Sequence, residues 1–487
     1  MLYKANQARK EEAALPTSAF YNESLCSKLN FKDEHKVWSQ KDSSNERQRS
    51  KSLSDLFSHR VPSKGGVFSY FNYPFLFDPV AKTRIMHIDA VTQMSLRFED
   101  AFVNQALVIH AQRFLHDSDT SSHLEKGFKK ATNPYLLLEV RREQLVLDVL
   151  DQIALKEADL KKPLKIKFRG GGEEGMDQGG VQKEFFQVLI DNLLDPAYGM
   201  FVYDEETRYC WINPSSLENE RRFELIGTVL GLALYNGVIL GVNFPKLFYK
   251  KLLGQTIDLE DVKEAFPSLG RGLEQLLTWE EGDVGDIFMR TFEISYEAYG
   301  LVKNIPLTEN GADVLVTNAN RQEYVRKYIQ HLTHESIRRQ FSAFRKGFLK
   351  ISGGRALKLC SPEELELIIC GSLTEELDFA ALENATEYDD GYHPQHQVIV
   401  WFWDIVHGMS LDQKKKLLMF VTASDRVPLK GLGQTTFVIQ RNGPDSDRLP
   451  TALTCFGRLL LPEYSTKEKL ENRVSTAIEN AKGFGLV

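Results

Sequence analysis

Five cysteines occur in the 487 residues: Cys26, Cys210, Cys360, Cys370 and Cys455. An odd number without tight pairing argues against a disulfide scaffold and for a reducing compartment. Cys360 and Cys370 flank an apolar helical stretch and read as core thiols. Cys455 lies elsewhere, in RLPTALTCF (448–456), between a polar Asn-Gly-Pro-Asp turn and an apolar run. A thiol on such a turn is accessible, and it reads either as a nucleophile or as an incidental thiol.

Two other patterns carry less chemistry. Gly170, Gly172 and Gly175 satisfy a G-x-G-x-x-G spacing between a strand and a helix, with Asp195 about twenty residues on. Glu173, Glu174 and Asp177 would meet the pyrophosphate, so an acidic loop is the better reading than a dinucleotide site. The pairs His331/His334 and His393/His396 have no cysteine or carboxylate cluster at metal spacing, and no metal site is expected.

The elements that must position these residues follow from composition and periodicity. Hydrophobic residues make up 42% and charged residues 26% of the chain, which suits about three folded units. The net charge of -7 argues against nucleic acid as the main partner. No secretory signal opens the chain. The longest apolar run, Phe223 to Phe244, is interrupted by Glu224, Thr228, Asn236 and Asn243, so it reads as a buried helix and not as a membrane span.

Residues 1–62, rich in serine and charge, are expected to be a disordered leader. Residues 66–159 read as a mainly helical segment continuous with the unit that begins at 160. Within it, NPYLLLEVRREQLVLDVLDQIAL places Leu138, Leu145, Val149 and Ile153 at helical spacing. Then come a strand at Leu164–Phe168, an amphipathic helix stopped by Asp195-Pro196, a hairpin over 200–214, two helices between 320 and 348, and a short helix ending at Gly371. From about 375 the chain reads as two helices, strands around TTFVIQ and GRLLLP, and a last helix capped by Ser465 with Glu468 and stopped by Gly483. A boundary falls at Gly371, Ser372, Leu373 and Thr374.

LPTALTCFGRLLLPEY (449–464) resembles the active-site signature of the HECT-domain ubiquitin–protein ligases. So do GMFVYDEETRYCWINPSS (199–216), LIGTVLGLALYN (225–236), AFRKGF (343–348), ELELIICG (364–371), TEYDDGY (386–392) and FVTASDRVPLKGLG (420–433). The matches keep the family's order from about Phe68 to the last residue, and the chain looks most like the smaller members, of the HECT domain-containing protein 2 type.

The resemblance implies an α+β, bilobal catalytic module. Residues 160–370 would be a large, mostly helical lobe, with a small subdomain at about 265–330 that binds the ubiquitin-conjugating enzyme. Residues 371–374 would be a hinge, and 375–487 a smaller mixed lobe. It implies that Cys455 carries ubiquitin as a thioester, with Thr454 beside it, and that Phe484 helps place the loaded lobe. Leu269, Leu273, Trp279, Phe288, Tyr324 and Tyr328 would line the conjugating-enzyme groove. Leu453 stands where the family often has histidine, so no local imidazole base is expected. Asp445 and Asp447 would either draw in the incoming lysine amine or only shape the turn. The partners implied are a conjugating enzyme, ubiquitin and substrate proteins, in the cytoplasm or nucleus, with no cofactor, nucleic acid or membrane. The rival reading is a ligase-like scaffold that binds a conjugating enzyme without transfer. The region upstream is short, as in a shortened form of a longer protein.

Overall fold

The computed structural model describes residues 2–7, 15–46, 68–112, 133–169, 180–204, 206–207, 209–371, 377–422, 427, 429, 431–453 and 457–480. The chain begins with helices α1 (Leu2–Gln7), α2 (Glu23–Lys28) and α3 (Phe31–Glu46), followed by the 34-residue helix α4 (Pro79–Gln112). The expectation of a disordered leader over 1–62 fails for this part. Phe31 and Trp38 of α3 are buried with Phe71, Phe77, Ala81, Ile85, Ala356 and Leu359. His35 Nε2 lies 3.0 Å from Asp89 Oδ1, and the Arg355 guanidinium stacks over the Trp38 ring at 4.4 Å. Average polarity misled here: one stripe, Phe31–His35–Trp38, suffices once another surface exists to cover it. The Ser-rich tract from 47 onwards lies outside the described residues.

Strand β1 (Leu136–Arg141) corrects a second expectation. The segment from Asn133 is not helical throughout: β1 pairs in parallel with β2 (Leu164–Arg169), Leu136 opposite Leu164, and helix α5 (Leu145–Leu155) makes the crossover. Leu136, Leu138 and Val140 alternate into the core, whereas Leu145, Val149 and Ile153 keep helical spacing. Leu138 fits either period, and a leucine run carries no mark of the switch from one to the other.

Next come α6 (Gly180–Leu193), the antiparallel pair β3 (Phe201–Tyr203) and β4 (Cys210–Ile212), and α7 (Glu220–Tyr235). The long apolar run is therefore a buried helix plus an extended tail. Its polar members are satisfied: the Thr228 hydroxyl donates to the Glu224 carbonyl, Asn236 donates to the Leu232 carbonyl, and Glu224 pairs with Lys346 and Lys350. No helix of the described residues is long and apolar enough to cross a membrane.

Helices α8 (Lys246–Leu252), α9 (Leu259–Ala265), α10 (Pro267–Thr278) and α11 (Val284–Phe288) lead into the ribbon β5 (Glu293–Ala298) and β6 (Leu301–Pro306). Helix α12 (Arg321–Gln330) then passes through a π-helical turn, His331–Glu335, into α13 (Arg338–Ser352) and α14 (Pro362–Cys370). The largest core joins β1, β2, α5–α8, α13 and α14; a smaller one, with Val262, Leu273, Leu276, Val284, Phe292, Val316 and Tyr324, joins α9–α12 and the ribbon.

The remaining elements are α15 (Phe379–Ala385), β7 (Glu387–Asp389), α16 (Gln397–Gly408), α17 (Leu411–Thr422), β8 (Val438–Arg441), β9 (Thr451–Leu453), β10 (Arg458–Leu461) and α18 (Lys467–Asn480). They share their own core, and the sheet order is β7-β8-β10-β9, with β9 alone antiparallel to its neighbour. The sequence foretold β8 and β10 but not the three-residue strands β7 and β9. The last helix is capped by Thr466, whose hydroxyl accepts from the Lys469 amide at 3.2 Å, and not by Ser465. Gly483 lies outside the described residues.

Helices α7 and α13 cross backbone to backbone. A Cβ at Gly227 would stand 1.9 Å from the Phe344 carbonyl oxygen, and one at Gly347 2.0 Å from that of Glu224. Gly227→Ala is expected to lower stability by about 3 kcal/mol or more, the upper range for overpacking. In Gly272→Ala, on α10 with nothing within 4 Å, stability should instead rise by about 0.5–1 kcal/mol. Denaturant unfolding of both variants checks the pair, and equal midpoints would refute the crossing.

Candidate functional site

Thr454 and Cys455 lie outside the described residues, as do Phe484 and, at the proposed hinge, Ser372, Leu373 and Thr374. The structure nonetheless places their flanks. Leu453 ends β9 and pairs with Arg458, the first residue of β10. Only residues 454–457, Cys455 among them, join these two strand ends. At the far side Gly457 has φ +57, and a Cβ there would stand 2.1 Å from the Thr436 carbonyl oxygen, so the link must re-enter the sheet through glycine. Leu453 is 43% exposed. Arg458 donates to Asp389 at 2.6 Å and to Gln440 at 2.7 Å, which fixes the β10 end of the link across the sheet.

Asp445 and Asp447 sit in the turn before β9 and are both tied to α18. Lys469 Nζ lies 3.0 Å from Asp445 and 3.4 Å from Asp447, and Arg473 lies 3.0 Å from Asp447. The hydrogen bond from Lys469, followed by that from Ser465, holds the Asp445 carboxyl below the usual carboxylate range. The hydroxyl of Tyr464 donates to the Arg448 carbonyl and closes the turn onto the strand after it.

The other four cysteines are described, and none is placed for chemistry. Burial pushes the Cys210 and Cys360 thiols up to about 12. Cys370 contacts the Tyr249 hydroxyl at 3.2 Å and the Val242 carbonyl at 3.4 Å. Burial also raises the half-buried Cys26. A thiol held protonated is neither nucleophile nor metal ligand. Among the described residues no group of three or more His, Cys, Asp or Glu could hold a metal ion. The loop Gly170–Gly175 lies outside the described residues.

The six residues expected to line a groove converge on the smaller core of α9–α12, at unequal depth. Leu273 and Tyr324 are buried inside it and shape it from within, while Leu269, Trp279, Phe288 and Tyr328 are only partly covered. Trp279 and Phe288 meet edge to face at 5.6 Å, and Tyr324 and Tyr328 at 5.9 Å. Arg321 donates to the Trp279 carbonyl at 2.7 Å and so anchors the end of α10 to α12. Beside Phe288, Ile287 and Met289 are 51% and 76% exposed, and Leu315 approaches the same turn. Sequence reasoning missed these three; a run such as Asp-Ile-Phe-Met-Arg does not tell which apolar side chain is left outside. Gly371, the described end of the expected hinge, has φ +70 and closes α14 through its amide to the Leu367 carbonyl at 2.9 Å.

Residues 187–487 match the family model for the HECT-domain (ubiquitin-transferase). This chain belongs to that family. It is 39% identical over 416 residues to the human protein named probable E3 ubiquitin-protein ligase HERC4, covering 85% of this chain and 38% of that one. It is 38% identical over 433 residues to mouse probable E3 ubiquitin-protein ligase HECTD2, covering 86% and 53%. It is 34% identical over 450 residues to probable E3 ubiquitin-protein ligase mug30 of Schizosaccharomyces pombe, covering 87% and 53%. The chain thus spans between 38% and 53% of the length of these relatives.

The ion pairing of Asp445 gives a signed expectation. Its lowered folded value means that its contribution to stability is present above the ordinary carboxylate value of 3.8 and is lost as pH falls through the folded value. The midpoint difference between the native chain and Asp445→Asn should therefore be present at about pH 7 and vanish in acid. Thermal unfolding across that range reads it, and a difference that persists at low pH would contradict the Lys469 pairing.

Proposed function

We propose that this chain is a ubiquitin–protein transferase that receives ubiquitin from a conjugating enzyme as a thioester on Cys455 and passes it to substrate lysines. The carrying observation is the pairing of Leu453 with Arg458, the described flanks of the Cys455 signature, with Leu453 exposed, while every described thiol is buried or half-buried. The signature around Cys455 and the family membership support the same reading.

In this reading the Cys455 thiolate attacks the carbonyl carbon of the donor thioester, a carbon–sulfur bond forms, and the conjugating enzyme's thiolate leaves. The two thioesters are of similar energy, so orientation decides the rate, and good orientation is worth roughly 7–11 kcal/mol. A lysine amine then attacks the same carbonyl, loses a proton, and releases Cys455. Thr454 flanks the nucleophile, and Phe484 places the loaded unit. Leu453 supplies no imidazole, so the amine proton leaves to solvent or to a carboxylate. Asp447 is the better placed acceptor of the two acids, being 85% exposed despite its contacts to Lys469 and Arg473.

The reading divides the chain into a large lobe over 160–370, which includes the groove at about 265–330, and a smaller lobe over 375–487. They are joined at Gly371–Thr374, where a reorientation between loading and delivery is absorbed. The helix α3, buried against α4, belongs to the folded module in this scheme. The substrates are proteins that these residues do not specify.

Incubation with activating enzyme, charged conjugating enzyme and ubiquitin should give a reducible ubiquitin adduct on a non-reducing gel. Cys455→Ala should abolish it; an adduct that survives this substitution sinks the proposal. Phe288→Ala should weaken conjugating-enzyme binding by about tenfold or more, as expected for an aromatic anchor. Unchanged affinity in a titration would move the groove elsewhere.

A further inference from the structure

The ribbon β5–β6 turns at Tyr299 and Gly300, between the paired residues Ala298 and Leu301. Both turn residues have positive φ, 55° and 74°. A two-residue hairpin of this hand demands that, and Asn or Gly ordinarily takes the first position. Tyrosine is an outlier there, because its Cβ crowds the backbone in the left-handed region. Its ring is not held by burial either, since Tyr299 is 64% exposed and Leu301 and Val302 beside it are more so.

What the strained turn achieves is reach. The Tyr299 hydroxyl donates to the Ser215 carbonyl, 84 residues earlier in the chain. Ser215 follows β4 and is itself fixed to the largest core. Its amide donates to Asn213, whose side chain donates to the Gly199 carbonyl at 2.8 Å, and Gln340 of α13 donates to the neighbouring Pro214 carbonyl at 3.3 Å. The root of the ribbon, by contrast, is buried with the groove residues through Phe292. The hydroxyl therefore ties the tip of the ribbon to the larger core, close to the start of α13. It is one of several ties: Lys250 of α8 pairs with the buried Asp261 of α9 at 2.6 Å and Lys246 with Glu264 at 2.7 Å, whereas the contacts from Ser268 and Arg271 to Glu206 are exposed and long, at 3.2 to 3.4 Å, and hold little.

We propose that Tyr299 is a positioning residue for ubiquitin transfer: its turn geometry and its bond to Ser215 act with the α8–α9 ion pairs to fix the angle between the groove subdomain and the large core. That angle decides how the donor thioester is presented toward Cys455. The inference rests on the proposed transferase activity and adds a residue to it. A strained backbone held by a distant hydrogen bond is the kind of feature that persists only where the surrounding structure over-determines it.

The test uses the full chain in single-turnover transfer from charged conjugating enzyme, with conjugating-enzyme affinity measured separately. Tyr299→Phe keeps the ring and removes only the donor. Tyr299→Asn suits the left-handed backbone but is too short to reach Ser215. Both should slow transfer by about three- to tenfold, the scale of one lost hydrogen bond, with affinity unchanged within about twofold. Slowing in Tyr299→Asn alone, or a loss of affinity as large as the loss of rate, overturns the role. If the native chain loads and both variants load equally fast, only the role of Tyr299 falls. If the native chain takes no ubiquitin at all, the transferase reading falls and takes this role with it.

Discussion

The crossing of α7 and α13 is the constraint on which the rest of the molecule depends. Gly227 meets the backbone of Phe344, Gly231 that of Phe348, and Gly347 that of Glu224, so the two helices come into main-chain contact. Such an approach leaves little freedom in angle or register, because any slide brings a side chain where only a hydrogen fits. Helix α13 continues upstream through the π-turn into α12, which carries Tyr324 and Tyr328. It continues downstream toward α14 and Gly371. The proposed groove and the proposed hinge are thus both referenced to one crossing.

Around that fixed pair the chain is tied by a few buried polar contacts. Lys82 of α4 and Glu364 of α14 form an ion pair with side chains only 3% and 4% exposed. The carboxylate also accepts from the Tyr21 hydroxyl at 2.8 Å and the Ser361 amide at 2.7 Å. A buried pair adds little net stability against an apolar replacement, but losing one partner leaves a buried charge unpaired. Its effect is to fix which surfaces meet: the segment before α2, α4 and the helix leading to Gly371 come together at one carboxylate. Residues 21–38 of the leader are in this way part of the folded structure.

Thiol chemistry follows from the same distinction between inside and outside. Cys210, Cys360 and Cys370 sit in the largest core, and for Cys210 and Cys360 desolvation disfavours the thiolate. Cys455 falls in sequence between β9 and β10, outside the described residues, and in the turn before β9 Asp445 and Asp447 are engaged by Lys469 and Arg473.

Much of this was legible in the residues. The order of motifs from Gly199 to Tyr464 carried the family, the alternation of Leu164–Phe168 carried a strand, and the periodicities of 180–193 and 397–408 carried helices, because in each the local pattern and the tertiary environment agree. Where they conflict or are silent, only the folded chain decided. Leu136–Val140 became a strand because a parallel partner was available at Leu164, and Phe31–Trp38 became a buried helix face because Phe71, Phe77 and Leu359 were there to cover it. The split of the proposed groove into buried Leu273 and Tyr324 and partly exposed Trp279 and Phe288 was likewise a tertiary outcome. So was the reach of Tyr299 to Ser215. Sequence determines which side chains can do chemistry or fill a core; long-range packing decides which of them meet, since burial is a property of the partner surface as much as of the residue.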